Sequence, residues 1–139
     1  MSYAAALRRA ARFSPAWKPA ILYRPLLDGA GRLLFEGGTS RVEEAERTLG
    51  ARNLARDDDP ARLDYDDRRG VRLYEGNALL TIITGAPVTD AWFVALDGTA
   101  YAVTGVRSAD AFGATVRLTA NAITADAMTE ALGRPWPDP

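Results

Sequence analysis

Ala91-Trp-Phe-Val-Ala-Leu96 is followed by Asp97-Gly98 and then by Thr99-Ala-Tyr-Ala-Val-Thr104, so two apolar runs meet across two residues. Asp-Gly favours the left-handed backbone that a two-residue hairpin turn needs, and such a turn twists the way paired strands twist. Trp92, Val94 and Leu96 alternate onto one face, the period of a strand. The pattern continues on both sides. Upstream, Ala78-Leu-Leu-Thr-Ile-Ile-Thr84 is β-branched and apolar on both faces, which predicts a strand covered on both sides. Before it, Val71 and Leu73 alternate with Arg72 and Tyr74. Downstream, Ala114-Thr-Val-Arg-Leu-Thr119 places Val116 and Leu118 inward and Thr115, Arg117 and Thr119 outward. Four or five sequential antiparallel strands with short links predict a small barrel or sandwich.

Helices flank this β half. Tyr3, Ala6, Leu7, Ala10 and Phe13 form one stripe at helical period, with Arg8, Arg9 and Arg12 opposite, so the spacing predicts a helix from about Ser2 to Phe13. Ser14-Pro15 stops it, since the residue before proline avoids the helical basin. Ala20 to Arg24 reads as a strand ended by Pro25. Leu27-Asp-Gly-Ala-Gly31 is a turn and Arg32 to Glu36 a second short strand, closed by Gly37-Gly38. The glycines lack the strand, loop and helix grammar of a phosphate cradle. Ser40-Arg-Val-Glu43 has the form of a capping box. With Val42, Ala45 and Leu49 on one face and Gly50 as a stop, it predicts a short helix over Arg41 to Leu49. A last helix spans Thr124 to Leu132, capped by Thr124 and ended by Gly133. Trp136 lies between two prolines in the tail. It either tucks onto its own domain or anchors a neighbour, as tryptophan does at interfaces.

The expected fold is therefore α+β and mainly β: one small antiparallel barrel or sandwich with an N-terminal, a middle and a C-terminal helix. Its single domain divides into residues 1–18 (helix and link), 19–38 (hairpin), 39–70 (helix and acidic insertion), 71–120 (β core) and 121–139 (helix and tail). At 139 residues it is one domain's worth.

Composition limits the chemistry. There is no cysteine and no histidine. Disulfides, thiolate and imidazole metal sites, and Ser–His or Cys–His nucleophile pairs are excluded. No catalytic residue, cofactor or metal is expected. Sixteen of the 17 basic residues are arginine, Lys18 being the exception, and the net charge is −1. No global field draws such a chain to nucleic acid or membrane. No apolar run approaches the roughly 18–20 residues of a membrane span, and the first residues do not form a secretory signal. A soluble, cytoplasmic product is expected. Charge is also segregated: residues 1–72 carry 14 basic and 11 acidic side chains, residues 73–139 only 3 and 7.

The charged half contains Asp57-Asp-Asp-Pro-Ala-Arg-Leu-Asp-Tyr-Asp-Asp67, six aspartates in eleven residues. Such a stretch cannot bury itself and reads as a loop. Asp64, Asp66 and Glu75 occupy the first, third and twelfth places of a calcium loop. Arg68 and Arg69 stand at the fifth and sixth, where an oxygen ligand and a glycine belong. A solvated acidic loop, ordered by a neighbouring subunit's arginines, is the better reading. The candidate partner-facing residues are accordingly Arg8, Arg9, Arg12, Asp57, Asp58, Asp59, Asp64, Asp66, Asp67 and Trp136. A rival reading has Trp92, Phe93 and Tyr101 stacking bases on an open sheet. It has few basic residues near those aromatics to hold phosphates.

The run from Trp92 to Val106, followed by Asp110, Gly113 and Val116-Arg-Leu118, resembles the end of the head–tail joining (head-completion) proteins of tailed bacteriophages. The helix over Tyr3 to Phe13 and the strand at Ile21-Leu-Tyr23 resemble their start. The likeness covers about half of the chain, and the Thr39 to Arg69 segment has no counterpart in it. The resemblance implies a structural virion protein without catalysis, assembled as a ring in the phage neck after synthesis in the host cytoplasm. Its partners would be further copies of itself and the portal or adaptor and tail proteins. It implies no membrane contact and only incidental contact with DNA.

Overall fold

A computed structural model of the protein describes residues 3–53, 65–74, 77–109 and 113–137. Among these residues, helix α1 (Tyr3–Ala11) precedes ten strands and helix α2 (Ala125–Leu132) follows them. The strands are β1 (Lys18–Pro25), β2 (Phe35–Glu36), β3 (Thr39–Ser40), β4 (Val42–Asn53), β5 (Tyr65–Asp66), β6 (Val71–Arg72), β7 (Asn77–Ile83), β8 (Phe93–Leu96), β9 (Thr99–Ala109) and β10 (Thr115–Ala122). Six of them close an antiparallel barrel in the order β1-β4-β7-β10-β9-β8. β2 pairs with β3, and β5 with β6, as two small hairpins outside it.

The β half matches the expectation. Asp97 and Gly98 turn with φ of 50° and 81°, and Leu96 pairs with Thr99 across them. Trp92, Val94 and Leu96 point into the barrel with Leu22, Leu80, Ile82, Val103, Val116 and Leu118. Alternation sends Phe93, Ala95, Ala100 and Ala102 outward, where they are buried beneath Met128 and Ala131 of α2. The β8–β9 wall is thus apolar on both faces. β7 is covered outside by α1, whose Ala4, Leu7 and Ala11 meet Ile83, with Leu49 and Trp17 beside them. The α2 ends are as read: the Thr124 side chain accepts from the Ala127 N–H, and Gly133 is left-handed with φ 73°.

Three expectations are corrected. Residues 41–49 are not a helix but most of β4, which pairs with β1 through eight register positions. A bulge explains the misleading period. Leu22 faces Glu46 and Tyr23 faces Glu44, so Ala45 is the extra residue. One extra residue breaks the strand alternation and leaves Val42, Ala45 and Leu49 at helix-like spacing. The 19–38 hairpin is replaced as well. β1 lies between β4 and β8 in the barrel. Only the isolated bridge Leu27↔Leu33, around the Asp28 turn, joins the two halves of that stretch. Finally, the α1 contact stripe is Ala4, Leu7 and Ala11, not the one through Tyr3 and Phe13. Both stripes have helical period, but small alanines let the helix approach the barrel wall. Tyr3 and Phe13 are left outside, Phe13 81% exposed.

Among the described residues, no helix is long and apolar enough to cross a membrane.

Candidate functional site

The α1 packing fixes where its arginines go. With Ala4, Leu7 and Ala11 on the wall, Arg8 comes to the edge of the contact and its Nη1 donates to Glu46 Oε2 at 3.1 Å. Glu46 also accepts from the Thr84 hydroxyl, so this ion pair ties α1 to β4 and the end of β7. Arg12 lies over the Phe13 ring, 5.2 Å from its centroid. Arg8, Arg9 and Arg12 share a shallow groove of about 430 Å³ with Arg47, Thr48 and Leu49 of β4. Arg47 in turn pairs with Glu44 at 2.8 Å. Sequence reasoning missed Arg47, because the helix assigned to residues 41–49 gave no reason to set it beside α1.

The acidic segment divides. Asp57, Asp58, Asp59 and Asp64 lie outside the described residues. Asp67 is exposed on the turn between β5 and β6. Asp66 has partners within its own chain: its Oδ2 accepts from Arg69 Nε at 2.6 Å and its Oδ1 from the Arg68 N–H at 3.0 Å. Arg69 is 1% exposed. Its Nη1 donates to the Trp92 carbonyl at 3.0 Å, and its guanidinium lies 5.2 Å from the Phe93 ring centroid. Burial lowers the pKa of this guanidinium from its ordinary value, opposed by the Asp66 charge. The Arg69 carbonyl also accepts from the Ser40 N–H at 2.9 Å. The buried arginine therefore clamps the β5–β6 hairpin to the barrel. The carboxylate placed third in a calcium loop faces a guanidinium instead.

Trp136 tucks onto its own domain. Its Nε1 donates to the Tyr23 hydroxyl at 3.1 Å and its N–H to Thr129 Oγ1 at 3.0 Å. Burial raises the Tyr23 pKa above its ordinary value, while the bond from Trp136 pulls it down. The base-stacking reading loses its platform, since Trp92, Phe93 and Tyr101 are 7%, 0% and 4% exposed. They are wall and core residues, closed to a nucleic acid.

A second surface escaped the sequence. Leu27 and Phe35 are exposed on the segment between β1 and β3. Phe35 borders an open depression of about 550 Å³ with Asp28, Arg32, Leu33, Arg68 and Ala91. The Asp28 carboxylate organises this loop by accepting from the Arg32 and Ala30 N–H groups, at 2.9 and 2.8 Å. Those bonds, led by Arg32, hold its pKa below the ordinary carboxylate value.

No protein-family model matches the chain, and no curated protein or solved structure is significantly similar to it.

Proposed function

We propose that this protein is a non-catalytic structural subunit of a tailed phage or phage-like particle, one copy of the head–tail connector (neck) ring. It would join further copies of itself and the portal, adaptor or tail proteins. The observation that carries the reading is a closed, side-chain-filled barrel with an arginine-lined groove on its outside. Closure removes the free edges of the barrel strands, which leaves the helices, loops and two small hairpins outside the barrel, where exposed arginine and apolar side chains lie, as the surfaces for assembly. Arginine suits this task, because its planar fork binds carboxylates bidentately across interfaces. The likeness of the Trp92–Val106 hairpin to head–tail joining proteins supplies the particular assembly.

The test is deletion of the coding sequence from the replicon that encodes it, with negative-stain imaging of the particles produced. Filled heads separated from tails are expected, with rings of the purified protein and its recovery from intact particles. Complete, infectious particles lacking this polypeptide would refute the proposal.

A further inference from the structure

We infer that one open end of the barrel is a binding site for a small organic acid, a single carboxylate on an apolar body. Every residue that lines it lies among the described residues, and the inference is independent of the ring reading.

Strand alternation brings the polar groups together. Ala20 and Leu22 point into the barrel, so Lys18 holds the next inward position of β1. On β4, Gly50 pairs with Ile82 and Arg52 with Leu80, both interior residues, which gives Arg52 an inward position too. On β9, Thr99 pairs with Leu96 and Tyr101 with Val94, again interior residues. Three strands thus send two cations and two hydroxyls to one pocket of about 370 Å³ at the barrel mouth. That is the size of a small-molecule site, and barrel mouths are a common place for one. The pocket is blind. A Cβ on Gly50 would lie 2.6 Å from Ile82 Cδ1 and 3.1 Å from Leu96 Cδ1, so side chains close the barrel beneath it. The rim is fixed by the Asp97 N–H, which donates to the Pro19 carbonyl at 2.9 Å and holds the β8–β9 turn to the start of β1.

The polar groups of the mouth lack partners. Tyr101 is 4% exposed, and its hydroxyl makes no hydrogen bond among the described residues. Ser40 Oγ is the one sealed side-chain polar atom there without a partner, so the Tyr101 hydroxyl opens onto the pocket that the residue lines. Buried polar groups are normally bonded, and this one is left for a ligand. Lys18 and Arg52 form no ion pair among the described residues. Asp97 is the one carboxylate among the lining residues, so two positive charges stand against one negative. That balance suits a single carboxylate and opposes a dianion. The Arg52 fork matches both oxygens of a carboxylate, while Pro15, Leu96 and the Tyr101 ring offer a wall to an apolar body.

The experiment is an amide NMR titration of the nitrogen-labelled full chain with benzoate, naphthoate and hexanoate, each to about 10 mM. It compares the wild type with Lys18→Gln, Arg52→Gln and Tyr101→Phe. Arg72→Gln, on β6 outside the barrel, controls for lost charge, and circular dichroism checks that each folds. At least one acid should shift the Lys18, Arg52, Thr99 and Tyr101 amides saturably. Its affinity should fall about tenfold in Lys18→Gln or Arg52→Gln and about fivefold in Tyr101→Phe, and stay unchanged in Arg72→Gln. Benzamide, the neutral isostere of benzoate, should bind the wild type at least tenfold more weakly; this comparison decides if a variant fails to fold. No saturable shift with any acid, or equal binding by all variants and by benzamide, would overturn the inference. If phenyl phosphate binds more tightly than benzoate, or inorganic phosphate alone binds as tightly, the ligand is a phosphate and the inference falls. Each of these failures leaves the connector reading to its own test by particle imaging.

Discussion

Arg69 is the residue on which the outer hairpin depends. A guanidinium taken out of water costs several kcal/mol unless it is paired and bonded, and here it meets Asp66, the Trp92 carbonyl and the Phe93 face. Removing one partner of such a pair strands the other charge. Asp66→Ala should therefore lower stability by about 3 kcal/mol. The partners are not symmetrical, however. The Trp92 carbonyl keeps the Val103 N–H if Arg69 is lost, and Asp66 keeps the Arg68 N–H. The double variant Asp66→Ala/Arg69→Met should thus be more stable than Asp66→Ala alone, which urea denaturation of both will measure. Equal midpoints would mean that the arginine finds water when unpaired. This arrangement was not legible in the sequence. Two arginines after an acidic run read as solvated charge, and only the return of residues 65–74 across the barrel wall buries one of them.

At the level of elements, two hairpins touch backbone to backbone. Gly70 has φ of 70°, and a Cβ there would strike the Gly38 carbonyl oxygen. Gly98, in the β8–β9 turn, has φ of 81° with nothing within 4 Å of the same position. Gly98→Ala should cost about 1 kcal/mol, from left-handed strain alone. Gly70→Ala should cost about 3, because overpacking adds to that strain. Equal shifts in urea midpoint would show that the two hairpins part freely. Legibility differs between elements for related reasons. The β8–β9 hairpin, β7, β10 and α2 could be read because turn chemistry, alternation and caps agree there. β4 could not, since the Ala45 bulge disguises its period and a serine-to-glutamate spacing imitates a helix start. Of the candidate site, the three α1 arginines were visible and Arg47 was hidden by that same misreading.

The whole molecule is a barrel with two unequal covers, and their inequality assigns them different work. α2 and the tail bury Met128, Ala131, Leu132 and Trp136 against Tyr23, Phe93, Ala95, Ala100 and Ala102. At about 1.5–3 kcal/mol for each large apolar side chain, that cover rivals the entire net stability of a small domain, about 5–15 kcal/mol. α1 brings two alanines and a half-buried leucine onto Ile83 and Leu49, a contact of about 3 kcal/mol by the same measure. α2 thus completes the fold, whereas α1 is a modest stabiliser that carries the arginine face. A chain ending before Thr124 should lose cooperative urea unfolding and bind a hydrophobic dye strongly. A chain lacking residues 1–13 should keep a single cooperative transition at lower urea and lose self-association. If the shorter N-terminal variant fails to fold while the C-terminal one unfolds like wild type, the division of labour runs the other way, and the groove on α1 is part of the scaffold and not an interface.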